Sequence, residues 1–275
     1  AVTIFDGYTY YTGNDSTGRD PVKWTLETSL AKITWTVVDV RSNQVINSTR
    51  NARAGNWSLS NLAATNNAFS DTSCMALNGQ FSLLSQQEVV GPLSGTGQVA
   101  LVFGTLGVNA FSDAAFSGML VGTGVVSKTG SAVQTFSGTL AYAGTLIVES
   151  GTLNLDSATL NGVTNIVLRG GVLTGTATVL GPLTISNEGG VYDAQLAVSG
   201  ALTIVGDLKV RAEGVSLPYT KELFSYASLD AASADRVRQA LMTTALPEGV
   251  VVHVSVTASQ AKLIVVKAGS VILVR

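Results

Sequence analysis

The chain has 275 residues, of which 46% are hydrophobic and only 12% charged, and its formal net charge is −2. A chain of this length can bury a large core in one or two domains, but no run reaches the roughly 18 apolar residues of a membrane-spanning helix. The absence of a basic cluster argues against nucleic acid and anionic membrane surfaces as partners, because both attract concentrated positive charge.

The residue composition is typical of a β-rich protein with many tight turns. Glycine occurs 29 times and proline 5 times, while Val, Leu, Thr and Ser are abundant. The single cysteine, Cys74, excludes an intramolecular disulfide and leaves two interpretations, a buried thiol or an intermolecular disulfide. The single histidine, His253, has no cysteine or histidine at metal-ligand spacing. No metal and no cofactor are therefore expected.

Residues 1–92 are predicted to form an antiparallel β unit. Asp6-Gly7, a dipeptide favoured in type I′ turns, lies between the strand-like segments 2–5 and 8–12 and predicts a hairpin. Further strands are predicted over 22–26, 33–40, 44–48 and 57–62. Aromatic residues that could pack a small core or stack on sugars concentrate here, and both interpretations stay open: Tyr8, Tyr10, Tyr11, Trp24, Trp35 and Trp57.

From about residue 95 charged residues become scarce, and short apolar segments recur. One series begins at Leu146, Ile166, Leu183 and Leu202, with steps of 20, 17 and 19 residues. A single turn of this kind cannot bury its apolar side chains, but turns stacked about 4.8 Å apart can. The repeats therefore predict a parallel β-helix over 93–212. The side chains predicted to point inward are Leu153, Val167, Leu173, Val179, Leu183, Ile185 and Leu202.

One stretch of the repeat region carries a longer pattern of spaced residues. Its members are Gly124, Lys128, Gly130, Ser137, Gly138, Tyr142, Gly144 and the run Gly151-Thr152-Leu153. Their order and spacing resemble the autotransporter passenger-associated β-strand repeat of bacterial surface and secreted proteins. About forty residues match well, and weaker turns continue to about residue 210. The resemblance implies a right-handed parallel β-helix that acts as a stalk or aids secretion, and it implies no catalytic residues.

Residues 213–275 are predicted to cap the open end of the β-helix. A strand is predicted over 219–227, followed by a helix to about residue 244 with Ser233 as N-cap and Asp235 in its first turn. Strands over 250–257, 262–267 and 270–274 complete the cap, the last two as a terminal hairpin. The predicted fold class is all-β: an N-terminal antiparallel unit, a short right-handed parallel β-helix, and a small C-terminal cap of strands and one helix.

The acids of the repeats decide whether an enzyme is expected. Parallel β-helices also carry glycosidases, which need two carboxylates about 5–10 Å apart. Glu149, Asp156, Glu188 and Asp193 have no second acid and no basic residue beside them in a repeated register. They are interpreted as exposed turn acids, and His253 as a strand residue rather than a base. No catalytic residue is predicted.

The favoured function is a structural subunit of an extracellular surface layer or fibre, secreted after removal of a signal peptide. The alternatives are an adhesin that binds surface glycans and, third, a polysaccharide-acting enzyme. Both chain ends look like apolar strands without charge or proline, which predicts head-to-tail strand exchange with other copies of the chain. The competing interpretation pairs each end within its own domain. The predicted assembly residues are Val2, Ile4, Phe5, Tyr8, Tyr10, Val271, Ile272, Leu273 and Val274.

Overall fold

The computed structural model describes residues 7–14, 20–28, 36–46, 48–58, 71–211, 217–243 and 247–269. The fold is all-β, with 64% strand and 4% helix. An antiparallel N-terminal part is followed by a parallel β-solenoid of about seven turns and then by a short helix with further strands. These findings confirm the predicted fold class.

The N-terminal part contains two antiparallel strand pairs. Its strands are β1 (Gly7–Tyr11), β2 (Trp24–Thr28), β3 (Thr36–Arg41) and β4 (Arg53–Ser58). Strand β1 pairs with β4, and β2 with β3. The predicted hairpin partner of β1, residues 2–5, lies outside the described residues. The strand predicted over 44–48 is wrong for its described part, where Gln44 N donates to the carbonyl of Val22 at 3.0 Å but no ladder forms.

The solenoid is built from short parallel strands, each of which bonds to the strand one turn later. Successive partners such as Met119, Thr139, Thr159 and Thr178 show a turn of about 20 residues. The strands are β5 (Met75–Ala76), β6 (Gln80–Leu84), β7 (Gln87–Val90), β8 (Leu93–Ser94), β9 (Gln98–Asn109), β10 (Ala114–Phe116), β11 (Met119–Thr129), β12 (Val133–Phe136), β13 (Thr139–Val148), β14 (Thr152–Asn161), β15 (Val163–Leu168), β16 (Val172–Leu180), β17 (Leu183–Asn187), β18 (Val191–Val205) and β19 (Lys209–Val210).

Parallel pairing extends beyond the predicted limits, 93–212, at both ends. Strand β5 pairs with β8, and β6 and β7 both pair with β9. At the other end β20 (Tyr219–Leu229) pairs with β18, and β21 (Leu241–Met242) with β19. The first turn was missed because residues 75–90 are rich in Gln, Ser and Asn. These polar side chains separate the inward apolar positions and give the segment the composition of a loop.

The core consists of columns of inward side chains, one from each turn. Alternation along a strand sends every second side chain inward, and the parallel register places equivalent residues above one another. In two such columns no residue is more than 3% exposed. The first contains Val99, Leu120, Leu140, Leu160, Val179 and Val198, and the second contains Leu106, Val126, Leu146, Ile166, Ile185 and Ile204.

Six of the seven residues predicted to point inward belong to the core cluster, and Val167 does not. Val167 is buried, but its neighbours Ile166 and Leu168 are the ones in the core. The error lies in the face of the strand, because side chains alternate along β15 and those of Ile166 and Leu168 point inward. Choosing Val167 as the inward residue shifts the alternation by one position, and a shift of one residue exchanges the two faces.

The C-terminal cap continues the sheet of the last turn with antiparallel strands. It contains α1 (Ala231–Arg238), β22 (Val250–Val256) and β23 (Gln260–Lys267), and β23 lies between β20 and β22. The predicted strands over 219–227, 250–257 and 262–267 are therefore found. The third strand, 270–274, lies outside the described residues.

The predicted helix limits are wrong at both ends. The N-cap is Asp230, whose carboxylate accepts from the backbone N–H of Ser233 at 2.9 Å and from its hydroxyl at 2.7 Å. Ser233 lies inside the first turn, where its hydroxyl accepts a hydrogen bond from Ile204 N at 2.8 Å. Asp235 follows the first turn, and the helix ends at Arg238. Ser233 therefore connects the helix to β18 rather than capping it, and a capping pattern in the sequence cannot reveal this contact.

Candidate functional site

The glycines of the repeat pattern lie where consecutive turns touch. A Cβ atom on Gly138 would lie 1.8 Å from the carbonyl oxygen of Gly118. The same atom on Gly144 would lie 1.8 Å from the carbonyl oxygen of Gly124. No side chain fits at these distances, so both positions require glycine for close backbone approach. These motif glycines serve the stacking of turns.

Lys128, another residue of the pattern, lies inside the solenoid. It is 0% exposed and occupies a core column between Val108 and Val148. Its Nζ donates to the carbonyl oxygens of Gly130 at 2.7 Å and Ser150 at 2.9 Å. Because these carbonyls belong to successive turns, the ammonium group ties one corner of the solenoid to the next.

The surroundings of Lys128 change its acidity but leave no room for a substrate. Burial lowers its pKa from 10.5 to about 8, and the charge of Asp113 opposes this shift. A lysine with a lowered pKa is a candidate base or nucleophile. Here the ammonium has no exposed surface and already donates to two backbone carbonyls, so the geometry supports a structural role.

Asn187 repeats the role of Lys128 in the same column three turns further on. It pairs with Leu168, which in turn pairs with Val148. Its amide Nδ2 donates to the carbonyl of Asp207 at 2.8 Å, and its Oδ1 accepts from Gly189 N at 3.0 Å. A polar side chain at this corner thus binds the backbone of its own turn and of the following one.

Gln134 braces the other end of the solenoid. Its side chain is 0% exposed; its Nε2 donates to the carbonyl of Leu93 at 2.8 Å, and its Oε1 accepts from the N–H of the same residue at 3.0 Å. Glu88 is a further inward polar residue, 2% exposed and paired with Leu106. Sequence reasoning did not single out Gln134, Asn187 or Glu88. Such residues could have been found in the sequence as polar residues at repeat positions where other turns carry Val or Leu.

The acids of the repeats are not isolated, which corrects the interpretation from sequence. Arg169 lies one turn from Glu149 and one turn from Glu188, and it binds both, at 2.8 Å and 2.9 Å. Asp193 binds Lys221 at 2.6 Å. The register was missed because the turns differ in length by one or two residues, so equivalent corners do not recur at a constant spacing. Asp156 is exposed, as predicted.

The Glu149–Arg169–Glu188 column does not have the properties of a glycosidase pair. The two acids are two turns apart, about 10 Å by strand spacing, which is close to the separation in inverting enzymes. A general acid, however, needs a carboxyl group kept neutral by apolar surroundings. Here the side chains are 32% and 53% exposed and share one guanidinium. The column is a surface ion-pair ladder along the outside of the solenoid.

Replacing Arg169 with Gln should lower the free energy of unfolding by less than about 1 kcal/mol, because exposed ion pairs are largely screened. Urea denaturation of both proteins at low and high salt measures the difference, which should shrink as salt is added. The exposed Arg238→Gln variant, which breaks the helical pair with Asp235, serves as a matched control. A loss well above 2 kcal/mol would show that the ladder holds the turns together.

Two shallow grooves follow the face of the solenoid next to the C-terminal strands. The first, of about 330 Å³, is lined by Thr176, Thr178, Gln195 and Glu222, among others. The second, of about 540 Å³, continues past Thr178 and is lined mainly by serine and alanine side chains. Glu222 is the one carboxylate on the wall of the first groove, and the second has none. Neither described groove therefore combines two acids.

The remaining candidates from the sequence lie apart from one another. His253 is exposed in β22. Cys74 is exposed, so the prediction of a buried thiol is wrong and the intermolecular disulfide stays open. Its neighbour Met75 takes the inward position at the start of β5.

The N-terminal aromatic residues are only partly described. Tyr11 is 64% exposed and Trp24 is half-buried. Tyr8 and Tyr10 lie in β1, with Trp57 opposite Tyr8 in β4. Trp35 lies outside the described residues. So do the predicted assembly residues other than Tyr8 and Tyr10, namely Val2, Ile4, Phe5 and Val271 to Val274, and strand exchange through the termini stays a prediction.

Within the described ranges, no three His, Cys, Asp or Glu side chains are grouped as a metal site requires. The helix that the structure describes lacks the length and hydropathy needed to cross a bilayer. No family model, curated protein or solved structure matches the chain.

Proposed function

We propose that the protein is a structural subunit of an extracellular surface layer or fibre, in which the solenoid is a rigid spacer. The proposal depends on one observation, which is that the residues of the repeat pattern stabilise the stacking of turns. Its glycines allow turns to touch, and Lys128 ties two turns together from the inside. Lys128, which could otherwise be considered a candidate reactive group, is thus engaged in holding the turns of the solenoid together.

The resemblance of the pattern to autotransporter passenger repeats supports a bacterial surface or secreted location for this spacer. The scarcity of charge supports it as well, since strands that are paired on both edges leave little surface that requires solvation. Assembly with other copies of the chain, head to tail through the terminal strands, is part of the proposal. In this arrangement a heterologous contact that does not close into a ring produces a filament.

The proposal predicts that purified protein neither cleaves nor retains polysaccharides. A broad panel of polysaccharides should release no reducing ends over long incubation, with an established glycosidase as positive control. In electron micrographs the protein should form filaments or extended particles. Turnover that disappears in Glu149→Gln or Glu188→Gln would replace the proposal with an enzyme, and saturable binding of one glycan would replace it with an adhesin.

A further inference from the structure

The edge of the C-terminal sheet carries an unusually apolar strand. Strand β22 reads Val-Val-Val-His-Val-Ser-Val from Val250 to Val256 and contains no proline and no formal charge with its histidine neutral. It pairs with β23 along its whole length. Among the residues that the structure describes, no strand pairs with its other edge. Proteins usually protect such an edge with charge, proline, a bulge or a covering helix or loop. Helix α1 contacts β22 but adds no strand to this edge.

The direction of the backbone groups on β22 follows from the hydrogen bonds at its two ends. Thr257 N donates to the carbonyl of Gln260 at 2.9 Å, and Ala268 N donates to the carbonyl of Gly249 at 2.6 Å. In an antiparallel ladder bonded and non-bonded pairs alternate, so the odd-numbered residues of β22 bond to β23. The N–H and C=O groups of the even-numbered valines therefore point to the open edge. At the start of the strand, the N–H of Val250 already donates to the carbonyl oxygen of Pro247 at 3.2 Å.

The side chains of these even-numbered residues are half-buried against the core cluster: Val250, Val252, Val254 and Val256. The other face of the strand carries Val251, His253 and Ser255. A strand added at the open edge would satisfy the outward backbone groups other than the N–H of Val250, and it would cover the remaining surface of the valines. Cross-strand pairs of β-branched residues are favourable in this position.

We propose that the occupant is the same strand of a second copy, joined antiparallel about a two-fold axis. Only even-numbered residues can form bonded pairs across this edge, so the register must shift in steps of two. One register overlaps all seven residues: Val250 faces Val256 of the second copy, Val252 faces Val254, and His253 faces its own counterpart. The strand is self-complementary in this register because its even-numbered positions place valine opposite valine, Val251 faces Ser255, and the strand carries no formal charge.

The resulting contact joins two solenoids at their C-terminal caps through one continuous sheet, since β23 connects β22 to β20 and thus to the last turn. The inference deepens the proposed structural role by naming the partner. It differs from head-to-tail exchange because a two-fold contact closes on itself. A fibre built on it would require a second contact elsewhere on the chain.

The test is the oligomeric state of the intact chain by sedimentation over a wide concentration range. At concentrations too low for head-to-tail filaments, we expect a species of twice the chain mass of 28.3 kDa. His253→Lys should raise the dissociation constant of the dimer at least tenfold, because two ammonium groups would face each other at a non-bonded pair. His253→Gln is the matched control and should remain dimeric. An equimolar mixture of His253→Lys and His253→Glu should recover the dimer as a heterodimer.

A second variant tests the backbone contact. Val254→Pro removes an N–H that faces the open edge, a change an edge strand tolerates, and should give a folded monomer. A monomeric intact chain at high concentration, or a dimer that survives His253→Lys, overturns the inference. A third result also overturns the inference. If a chain truncated after Gly269 dimerises and the intact chain does not, residues 270–275 cover the edge in the intact chain. These results are separate from the polysaccharide assays, which test the structural role itself.

Discussion

Replacing Ile185 with Asp should unfold the protein. Ile185 is 0% exposed and lies in a core column between Ile166 and Ile204. No cation lies next to it in that column, so the new carboxylate would be buried without a partner. An unpaired buried charge costs several kcal/mol, which is comparable with the stability of a whole domain. The same change also removes the branched side chain that fills the space between the two neighbouring turns.

Circular dichroism and thermal denaturation of the purified variant measure the effect. Thr184→Asp on the same strand is the matched control, because Thr184 is half-buried on the other face between Asn165 and Thr203. The control should remain folded with a small loss of stability. If Ile185→Asp melts like the unmodified protein, the register of the turn is not the one described.

Raising the pH from about 7.5 to about 9.5 should increase the free energy of unfolding by about 2 kcal/mol through Lys128 alone. Its pKa is lowered from 10.5 to about 8 in the folded protein, chiefly by burial. Between these two values the unfolded chain retains a proton that the folded protein has released. The unfolded state therefore binds more protons, and stability rises with pH across the window.

Urea denaturation at several pH values measures the slope, and Lys128→Met isolates it. The variant has a similar side-chain length without the charge, so its stability should rise less over the same window. Lys209→Met, which removes a lysine whose ammonium lies at the surface, should retain the slope. A Lys128→Met protein with the unmodified pH profile would show that the ammonium is not held inside the solenoid.

The window must end below about pH 10, because two tyrosines act in the opposite direction. Tyr142 and Tyr192 are fully buried, and burial raises the pKa of each phenol well above its ordinary 10.0. Above pH 10 the unfolded chain loses these protons while the folded protein keeps them. The free energy of unfolding then falls as the pH rises. In the unmodified protein we therefore expect it to pass through a maximum between the pH range in which Lys128 titrates and the range in which the tyrosines of the unfolded chain titrate.

Much of the architecture could be predicted from local patterns in the sequence. Segments recurring at 17 to 20 residues implied stacked turns, because apolar side chains at that period can be buried only by neighbouring turns. The same pattern identified six core residues and the glycine-rich corners. It was wrong at Val167, since three consecutive apolar residues, Ile166 to Leu168, are compatible with either register of alternation.

The contacts between turns could not be predicted in this way. Glu149, Arg169 and Glu188 look unrelated in sequence, and they meet because turns of unequal length bring them to one corner. Ser233 fits a helix N-cap in sequence, yet it binds Ile204 of β18. Both depend on the path of the chain over at least one complete turn of the solenoid.

The sequence by itself determined that this chain is an all-β protein with a stacked parallel core, because apolar periodicity and glycine spacing are local and repeat. Only the tertiary structure decided what its unusual residues do. In the sequence Lys128 is one member of the repeat pattern, but its position between Val108 and Val148 places it inside, where the carbonyls of Gly130 and Ser150 replace water. The edge of β22 that no described strand pairs with likewise exists only after β23 has paired on both sides. In each case the deciding quantity is the set of neighbours, which comes from distant parts of the chain.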